Sequence, residues 1–354
     1  MLTLEELLQQ LVERGGSDLH ISAGSPPKLR IDGKLVNVDT EILDDEESQK
    51  LIYSILDNDQ IARFERDFEL DMSFGISGVG RFRTNVFLQR GSVAAAMRRI
   101  PWEIWKLDDI GLPTVLMKEI CDKPKGLVLV TGATGSGKST TLASMIDYVN
   151  SSRNEHIITI EDPIEFVHRN KGCLVHQREI GSDTRTFGNS LRASLRQDPD
   201  VVLIGEMRDE ETVETALTLS ETGHLTFATL HTSDAVQTIN RIVDVFAEHQ
   251  QQQIRTQLSF VLQAILCQQL LPHASGKGRL LVAEILIATP AIRSLIRDDK
   301  CHQIYSIIQT SGKFGMRTAN QSLSELYLQR KITLEDALSR SSDPEELRRI
   351  LQKK

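Results

Sequence analysis

Hydrophobic residues in the first hundred positions follow the spacings of a small α+β domain. Four leucines recur at helical spacing near the start, at Leu4, Leu7, Leu8 and Leu11. The segment LRIDGKLV (29–36) predicts a hairpin that turns at Asp32 and Gly33. Residues 69–100 have the alternation and glycine-rich turns of an antiparallel meander. We therefore predict an N-terminal domain over residues 1–100.

Two arginines share one face of this meander. Strict alternation places the side chains of Phe82, Thr84, Val86 and Leu88 on one face of the strand. Arg81 and Arg83 then project together from the opposite face. Phosphoryl-transfer enzymes use added positive charge in catalysis, so this pair is one candidate source of an arginine finger. A surface salt bridge is the alternative interpretation.

The pattern changes after residue 113 to short β-branched runs separated by helical stretches. The runs are LVLV (127–130), IITIED (157–162), VVLIGE (201–206) and LTFATLHT (225–232). This order is typical of a parallel sheet wrapped by helices. Amphipathic helices are predicted to follow to the end, including 248–271, 290–298 and 318–330. The predicted domain is 114–354, joined through a linker at 101–113 that Pro101, Pro113 and the tryptophans between them mark.

A phosphate-binding loop follows the first of these runs. The motif G-x-x-x-x-G-K-[ST] is complete over residues 132–139. Its glycines let backbone N–H groups point at phosphate oxygens, and the following helix adds its positive end. Lys138 is expected to reach the β- and γ-phosphates, and the Ser139 hydroxyl to help hold Mg²⁺. The predicted nucleotide-binding residues are Gly132, Ala133, Thr134, Gly135, Ser136, Gly137, Lys138, Ser139 and Thr140.

Acidic residues end two other predicted strands. Glu206 follows four apolar residues and Gly205, in a Walker B-like arrangement where glycine replaces the usual aspartate. Glu161, Asp162 and Glu165 follow another strand. Because the carboxyl ends of parallel strands meet at one edge, these carboxylates are expected to face the nucleotide. We assign Glu206 to catalysis, and we expect Glu161, Asp162 and Glu165 either to hold Mg²⁺-bound water or to activate the nucleophile. Ordinary turn chemistry is the alternative for the second cluster.

A histidine and a second arginine pair complete the candidate site. His231 lies at the carboxyl end of a predicted strand, where it would sense the γ-phosphate or orient water, unless it is only a hydrogen-bonded structural residue. Arg192 and Arg196 are spaced i, i+4, which predicts one helix face. They are the other candidate arginine fingers.

Bulk properties exclude several classes of protein. The chain has 354 residues, a net charge of −8 and no dense run of lysine and arginine, which argues against nucleic acid as the main partner. The four cysteines are scattered, so neither a zinc site nor a disulfide framework is indicated. The start of the chain is unlike a signal peptide. Apolar runs stay below 18 residues, so no membrane span is predicted.

Five segments in order resemble the secretion-type traffic ATPases, a GspE-like superfamily. They are GATGSGKSTT, TIEDPIEF, LRASLRQDPDVVLIGEMRD, TGHLTFATLHT and AIRSLIR. The last segment and the short chain are most similar to the PilT-type retraction ATPases of bacterial type IV pili. SDLHISAGSPPKLRIDG and VGRFRTNVF extend the likeness over nearly the whole chain.

The resemblance implies an α/β protein with a PAS-like N-terminal α+β domain, a RecA-like P-loop ATPase domain and a helical C-terminal extension. It also implies a homo-hexameric motor that uses ATP and Mg²⁺, is cytoplasmic and lies at the inner face of the cytoplasmic membrane. Its expected partners are the inner-membrane pilus platform protein and the pilus machinery. Glu206 becomes the Walker B glutamate, Glu165 an acid of the aspartate box, and His224 and His231 the histidine box.

The helix AIRSLIRDDK is expected to couple hydrolysis to retraction. Its residues for this role are Ala291, Ile292, Arg293, Leu295, Ile296 and Arg297, with both arginines predicted on a face away from the apolar one. Packing of that apolar face on the sheet is the alternative. Ser233, Asp234 and Ser294 depart from the residues usual in the family.

Three other functions remain open from the sequence. A pilus-extension or type II secretion ATPase would share the same motifs. A small-molecule kinase would share the phosphate loop but leave the N-terminal domain unexplained. A nucleotide sensor without catalysis is the third alternative.

Overall fold

The structure is a computed structural model that describes residues 2–100 and 103–352. The chain divides into two units, which are treated separately below. The first comprises residues 1–103 together with 165–167, and the second comprises 104–164 and 168–354.

The first unit is built on a six-stranded antiparallel sheet in the order β3-β2-β1-β6-β5-β4. Its elements are α1 (Leu4–Glu13), β1 (Asp18–Ile21), β2 (Lys28–Ile31), β3 (Lys34–Asn37), α2 (Asp45–Tyr53), α3 (Asn58–Asp67), β4 (Glu69–Ile76), β5 (Gly80–Gln89) and β6 (Ser92–Ile100). The predicted leucine stripe is confirmed, since all four leucines of α1 are buried. The hairpin at Asp32 and Gly33 is confirmed as well, and both residues have positive φ angles as a tight turn requires.

Alternation along β5 is close to the predicted pattern. Phe82, Thr84 and Val86 are fully buried, whereas Leu88 at the strand end is 38% exposed. Arg81 and Arg83 lie on the other face, with Arg81 partly buried and Arg83 exposed. The core that β5 helps to form also contains the leucines of α1 and Phe64 of α3.

The second unit is built on a seven-stranded sheet in the order β13-β12-β7-β11-β10-β8-β9. Its strands and their helices begin with α4 (Thr114–Cys121), β7 (Gly126–Thr131), α5 (Lys138–Ser152), β8 (His156–Glu161), β9 (Leu174–Glu179), α6 (Phe187–Ser194), β10 (Val201–Ile204), α7 (Glu210–Glu221) and β11 (Leu225–Leu230). They continue with α8 (Ala235–Asp244), α9 (Glu248–Val261), β12 (Leu262–Pro272), β13 (Arg279–Ile287), α10 (Pro290–Arg297), α11 (Ile304–Thr310), α12 (Ala319–Leu328), α13 (Leu334–Arg340) and α14 (Pro344–Gln352).

Helices cover both faces of this sheet, so its central strands are buried on both sides. Leu127 and Leu129 of β7 pack into one core, while Val128 and Val130 of the same strand pack into the other. Every strand from β12 to β9 in the sheet order runs parallel to its neighbour, and only the added β13 is antiparallel. The predicted α/β class is confirmed, and a helical region follows the sheet as expected.

One predicted helix is wrong over its second half. The helix expected at 248–271 ends at Val261, and β12 follows at once. In β12, Ala264 and Leu266 enter one core while Ile265 and Cys267 enter the other. A strand buried on both faces has no polar alternation, so its apolar run resembles a buried helix. The prediction also missed β9 and β13.

The predicted linker at 101–113 is largely part of the second unit. Leu107, Ile110 and Leu112 are buried and belong to its core. Pro101 and Trp102 lie outside the described residues. In the described part of the chain, no helix combines the length and apolar character needed to cross a membrane.

Candidate active site

The phosphate loop lies between the carboxyl end of β7 and the start of α5. Gly137 is the N-cap of α5 with a φ of 93°, a backbone angle that glycine adopts readily. Its carbonyl accepts the first helical hydrogen bond, from Thr141. The first N–H groups of any helix lack an intrahelical partner, and the helix dipole makes that end positive. The loop and the first turn of α5 thus form an anion-binding site of the kind that binds phosphate.

Gly132 is fixed by close packing as well as by its conformation. Its φ is 140°, and an added Cβ would lie 2.4 Å from the Gln268 carbonyl oxygen and 2.6 Å from Ser136 Oγ. Ala133, Thr134 and Gly135 are exposed at the top of the loop. The loop can therefore curl tightly only because glycine stands next to β12.

Lys138 bends back over the loop. Its Nζ donates to the carbonyl oxygens of Gly132 at 2.7 Å and Ala133 at 3.1 Å. Ser139 and Thr140, the next two residues of α5, are partly exposed. The ammonium group and the Ser139 hydroxyl thus belong to the same helical turn, where a phosphate and its cation would both be contacted.

Four parallel strands bring the candidate residues to one edge of the sheet. The carboxyl end of β7 leads to the phosphate loop, and those of β11, β10 and β8 lead to His231, Glu206 and Glu161. Gly205 allows the carboxyl ends of β10 and β8 to lie close together. Its N–H donates to the Ile160 carbonyl at 2.8 Å, and a Cβ there would lie 3.1 Å from that oxygen. The glycine that replaces the usual aspartate therefore permits backbone contact with β8.

Glu206 and His231 face each other at this edge. His231 Nε2 lies 3.5 Å from Glu206 Oε1, and Arg208 Nε lies 2.8 Å from Glu206 Oε2. The Glu206 side chain is 23% exposed and the His231 side chain 46% exposed. A carboxylate that is reachable from solvent and oriented by two basic side chains is suited to positioning a water molecule. Arg208 was not singled out from the sequence.

Glu161 and Asp162 have different surroundings. Glu161 is buried, and its Oε1 accepts hydrogen bonds from Thr159 Oγ1 at 2.6 Å and Gln177 Nε2 at 3.2 Å. Asp162 is exposed. Within residues 2–100 and 103–352, no group of three or more histidine, cysteine or acidic side chains is arranged to bind a metal ion. Mg²⁺ commonly keeps its waters and binds through a few oxygens and the substrate phosphates, and the hydroxyl and carboxylates here fit that mode.

Three predicted catalytic residues lie in the first unit. Glu165 is exposed and belongs to the segment 165–167 that groups with this unit. Arg81 donates from Nη2 to Ser73 Oγ at 2.6 Å, across the β4–β5 pairing. Arg83 is exposed two residues further along β5. Their roles remain predictions.

Arg192 and Arg196 do not share a helix face. The helix α6 ends at Ser194, so Arg196 lies in the turn beyond it. Arg192 donates to Asn189 Oδ1 at 2.7 Å and forms an ion pair with Glu211 of α7. The expectation of an i, i+4 pair is therefore wrong, because the helix stops between the two residues. Arg192 contacts α7, whereas Arg196 remains exposed.

The two histidines of the predicted histidine box lie at opposite ends of β11. His224 precedes the strand, and its Nδ1 lies 2.9 Å from the Leu219 carbonyl at the end of α7. His231 follows the strand. Seven residue steps of about 3.3 Å each separate them by roughly 23 Å. Of the two, His231 is the one at the edge that carries the phosphate loop.

The predicted coupling helix is α10, but its two arginines differ. Arg293 donates from Nη1 to the carbonyls of Ser259 at 2.6 Å and Phe260 at 2.7 Å, and from Nε to Ala288 at 3.0 Å. It thereby caps the carboxyl end of α9, where a cation is favourable. Burial lowers the pKa of this guanidinium.

Arg297 has a looser environment than Arg293. Its Nε lies 3.8 Å from the Asp298 carboxylate, and its side chain is 43% exposed. The two arginines are four residues apart in α10, as expected, but their surroundings differ. Ile292 and Ile296 are buried, Leu295 is partly buried and Ala291 is exposed. The apolar face of α10 therefore packs in the core, which is the alternative to a coupling role for these apolar residues.

Comparison with known proteins assigns the chain to a family. The family model described as "Type II/IV secretion system protein" matches residues 2–338. The chain belongs to this family. It is 48% identical over 344 residues to the type IV pilus retraction ATPase PilT of Pseudomonas aeruginosa, which covers 97% of this chain and 99% of that protein. It is 45% identical over 321 residues to a twitching motility protein of Neisseria gonorrhoeae, covering 91% of this chain and 86% of that protein.

A solved structure resembles the chain closely as well. The crystal structure of the pilus retraction motor PilT with bound ADP has a TM-score of 0.92 and 53% identity, and the match covers 99% of this chain and all of that one. The match to this solved structure therefore extends over both units of the chain. The PAS-like description of the first unit stays a prediction.

Two substitutions separate nucleotide binding from hydrolysis in this type II/IV secretion system protein. Glu206→Gln should retain ATP binding but lower phosphate release by roughly a hundredfold or more, because an amide cannot take up a proton from water. Lys138→Ala should lose turnover because the phosphates lose their fixed cation. Phosphate release and binding of a fluorescent ATP analogue measure the two effects. The exposed Glu221→Gln is the matched control, and wild-type turnover in Glu206→Gln would contradict the assignment.

Proposed function

We propose that this chain is the ATPase motor that drives retraction of a type IV pilus. The observation that carries the proposal is the similarity to the PilT retraction ATPase over 97% of this chain and 99% of that protein. The phosphate loop, Glu206 and His231 at one sheet edge support ATP hydrolysis as the source of energy. A small-molecule kinase would also need a site for the molecule that accepts the phosphate, and these residues do not indicate one.

The nearest alternatives are less well supported by the extent of similarity. The type II secretion protein E of Pseudomonas aeruginosa matches 134 residues, which cover 38% of this chain and 26% of that protein. The retraction-type relatives match over both units instead. Retraction is therefore favoured over extension and secretion.

In the proposed mechanism, ATP binds with its phosphates on the loop 132–137 and the first turn of α5. Lys138 contacts the β- and γ-phosphates. Ser139, Glu161 and Asp162 would hold Mg²⁺ or its bound water, and the ion would supply positive charge to the phosphates. Glu206 orients the attacking water and accepts its proton. His231 holds the Glu206 carboxylate and senses the γ-phosphate, and Glu165 supplies a further acid.

We further propose that six copies form a ring that lies in the cytoplasm, at the inner face of the cytoplasmic membrane. The partners are the platform protein of the pilus machine and its associated components, with no part for nucleic acid. Hydrolysis would move one unit against its neighbour and so do mechanical work on the pilus.

Deletion of the gene in the source bacterium tests the direction of the motor. Loss of retraction should leave cells with an excess of pili and without twitching motility, because assembled pili are no longer withdrawn. Pilus counts by electron microscopy and motility on agar measure both, and complementation by Lys138→Ala should fail. Bald cells would indicate an extension motor and contradict the proposal.

Arginines from one subunit are expected to complete the site of the next. Arg81 and Arg83 lie in the first unit, whereas the phosphate loop lies in the second, which suits a supply in trans. Arg81→Ala/Arg83→Ala subunits and Lys138→Ala subunits should each be inactive, and some interfaces of the mixed ring should regain phosphate release. Mixed rings with proven co-assembly and no activity would refute the role of these arginines in trans.

The coupling role of α10 is best tested at Arg297. We expect Arg297→Ala to assemble and hydrolyse ATP near the wild-type rate but to fail to restore motility, because its side chain is free of the α9 carbonyls. Arg293→Ala is the comparison, and loss of its charged hydrogen bonds should lower the free energy of unfolding by about 1–3 kcal/mol. Full motility with Arg297→Ala, or loss of ATPase activity together with motility, would contradict the role.

A further inference from the structure

A buried carboxylate on β13 binds the start of a helix in the second unit. Glu284 is 4% exposed and lies opposite Cys267 of β12. Its Oε1 accepts a hydrogen bond from the N–H of Ala235 at 2.9 Å. Ala235 is the first residue of α8. Glu284 therefore binds a helix N-terminus, where the helix dipole is positive.

One of these helices begins directly after the candidate catalytic histidine. β11 ends at Leu230, and a four-residue turn from His231 to Asp234 leads into α8. Thr232 Oγ1 lies 2.7 Å from Thr238 Oγ1, which ties the turn to the first part of α8. The strand fixes one end of the turn, and the contacts at the start of α8 fix the other.

We propose that Glu284 is a positioning residue for ATP hydrolysis, which holds the His231 turn against Glu206 by binding the N-terminus of α8. The inference rests on the catalytic roles proposed above for Glu206 and His231. Glu284 itself contacts neither of these side chains in the hydrogen bonds described, so it acts through the backbone of the turn. The residue was not singled out from the sequence, because it stands within an apolar run that was not recognised as a strand.

The charge state of Glu284 is sensitive to pH near neutrality. Burial raises the pKa of this carboxyl to about 7, and the negative charges of Asp234 on α8 and Glu346 on α14 act in the same direction. The N–H groups of Ala235 and Ala319 oppose the shift. Cys267 and Tyr305 also interact with Glu284, and burial raises the pKa of both, which keeps them neutral.

Protonated Glu284 binds the N-terminus of α8 less strongly than the carboxylate does. A carboxylate carries a negative charge and accepts on both oxygens, whereas a carboxylic acid is neutral and one of its oxygens carries a proton. As pH falls through about 7, the hydrogen bond between Glu284 and the N-terminus of α8 should therefore weaken. Glu284→Gln imitates the protonated form at every pH, since one of its terminal atoms is a donor.

The test compares the full chain with Glu284→Gln, His231→Ala and the double variant, with kcat and KM for ATP measured from pH 6 to 9. At pH 8, kcat of Glu284→Gln should be lower by roughly tenfold to a hundredfold, the range expected for a displaced group, with KM little changed. The ratio of wild-type to variant kcat should shrink as pH falls through about 7. In the His231→Ala background, Glu284→Gln should have almost no further effect.

Glu346→Gln is the matched control, because Glu346 is also buried but bonds to Tyr305, Gln309 and Asn320 on α11 and α12. It should keep kcat near the wild-type value at pH 8, and any shift of the pH dependence should be to lower pH, because the charge of Glu346 raises the pKa of Glu284. Thermal unfolding verifies that each variant folds. If Glu284→Gln fails to fold, hydrogen exchange of the Ala235 amide in the wild type replaces it, and its protection should fall below pH 7 after correction for the intrinsic rate.

Three results with Glu284→Gln would overturn the proposal. They are an unchanged kcat in Glu284→Gln, a loss that is the same at every pH, and a loss that adds fully to that of His231→Ala. If His231→Ala is itself impaired and the two losses add fully, the catalytic role of His231 stands and only the positioning role of Glu284 is refuted. A His231→Ala variant with normal kcat would refute the role proposed for His231 and the tether with it. Unchanged protection of Ala235 across pH 7 would also overturn it.

Discussion

The parallel alignment of β7, β11, β10 and β8 is the constraint on which the candidate site depends. These strands are buried on both faces, so each residue that points to one core is followed by one that points to the other. A shift of one residue in any of them would exchange the two cores. The packing therefore fixes the register of the strands, and the register fixes the position at which each strand ends. The phosphate loop, His231, Glu206 and Glu161 meet at one edge for this reason.

Close approach of the backbone accounts for the glycines at this edge. Gly132 lies against the Gln268 carbonyl of β12, and Gly205 against the end of β8. Behind them, polar side chains bind the elements that carry the reacting groups. Gln268 donates from Nε2 to Thr141 Oγ1 at 2.8 Å, which ties β12 to α5. Glu284 binds the helix after the His231 turn. The edge is thus supported by buried hydrogen bonds from β12, which lies next to β7, and from β13, the strand beyond β12.

The sequence predicted the features that have a local pattern. The phosphate loop, the hairpin at Asp32 and Gly33, and the short β-branched runs each carry their own spacing, and they lie where expected. β12 was missed because a strand buried on both faces resembles a buried helix, and the role of Gln268 was missed with it. β13 was not recognised as a strand either, so the role of Glu284 was missed too. Arg196 was misplaced because the end of α6 depends on tertiary packing. The capping contacts of Arg293 were not predicted, because the α9 carbonyls that it caps lie more than thirty residues earlier in the chain.

The most direct test of the account is the structure of the full chain with Mg²⁺, ADP and beryllium fluoride, which imitates bound ATP. The account predicts that the fluoride lies within hydrogen-bonding distance of Lys138 Nζ and of N–H groups of the phosphate loop. It also predicts that Glu206 contacts the water aligned for attack, with His231 still beside it. A nucleotide bound away from the loop, or a Glu206 carboxylate with no access to that water, would contradict the account.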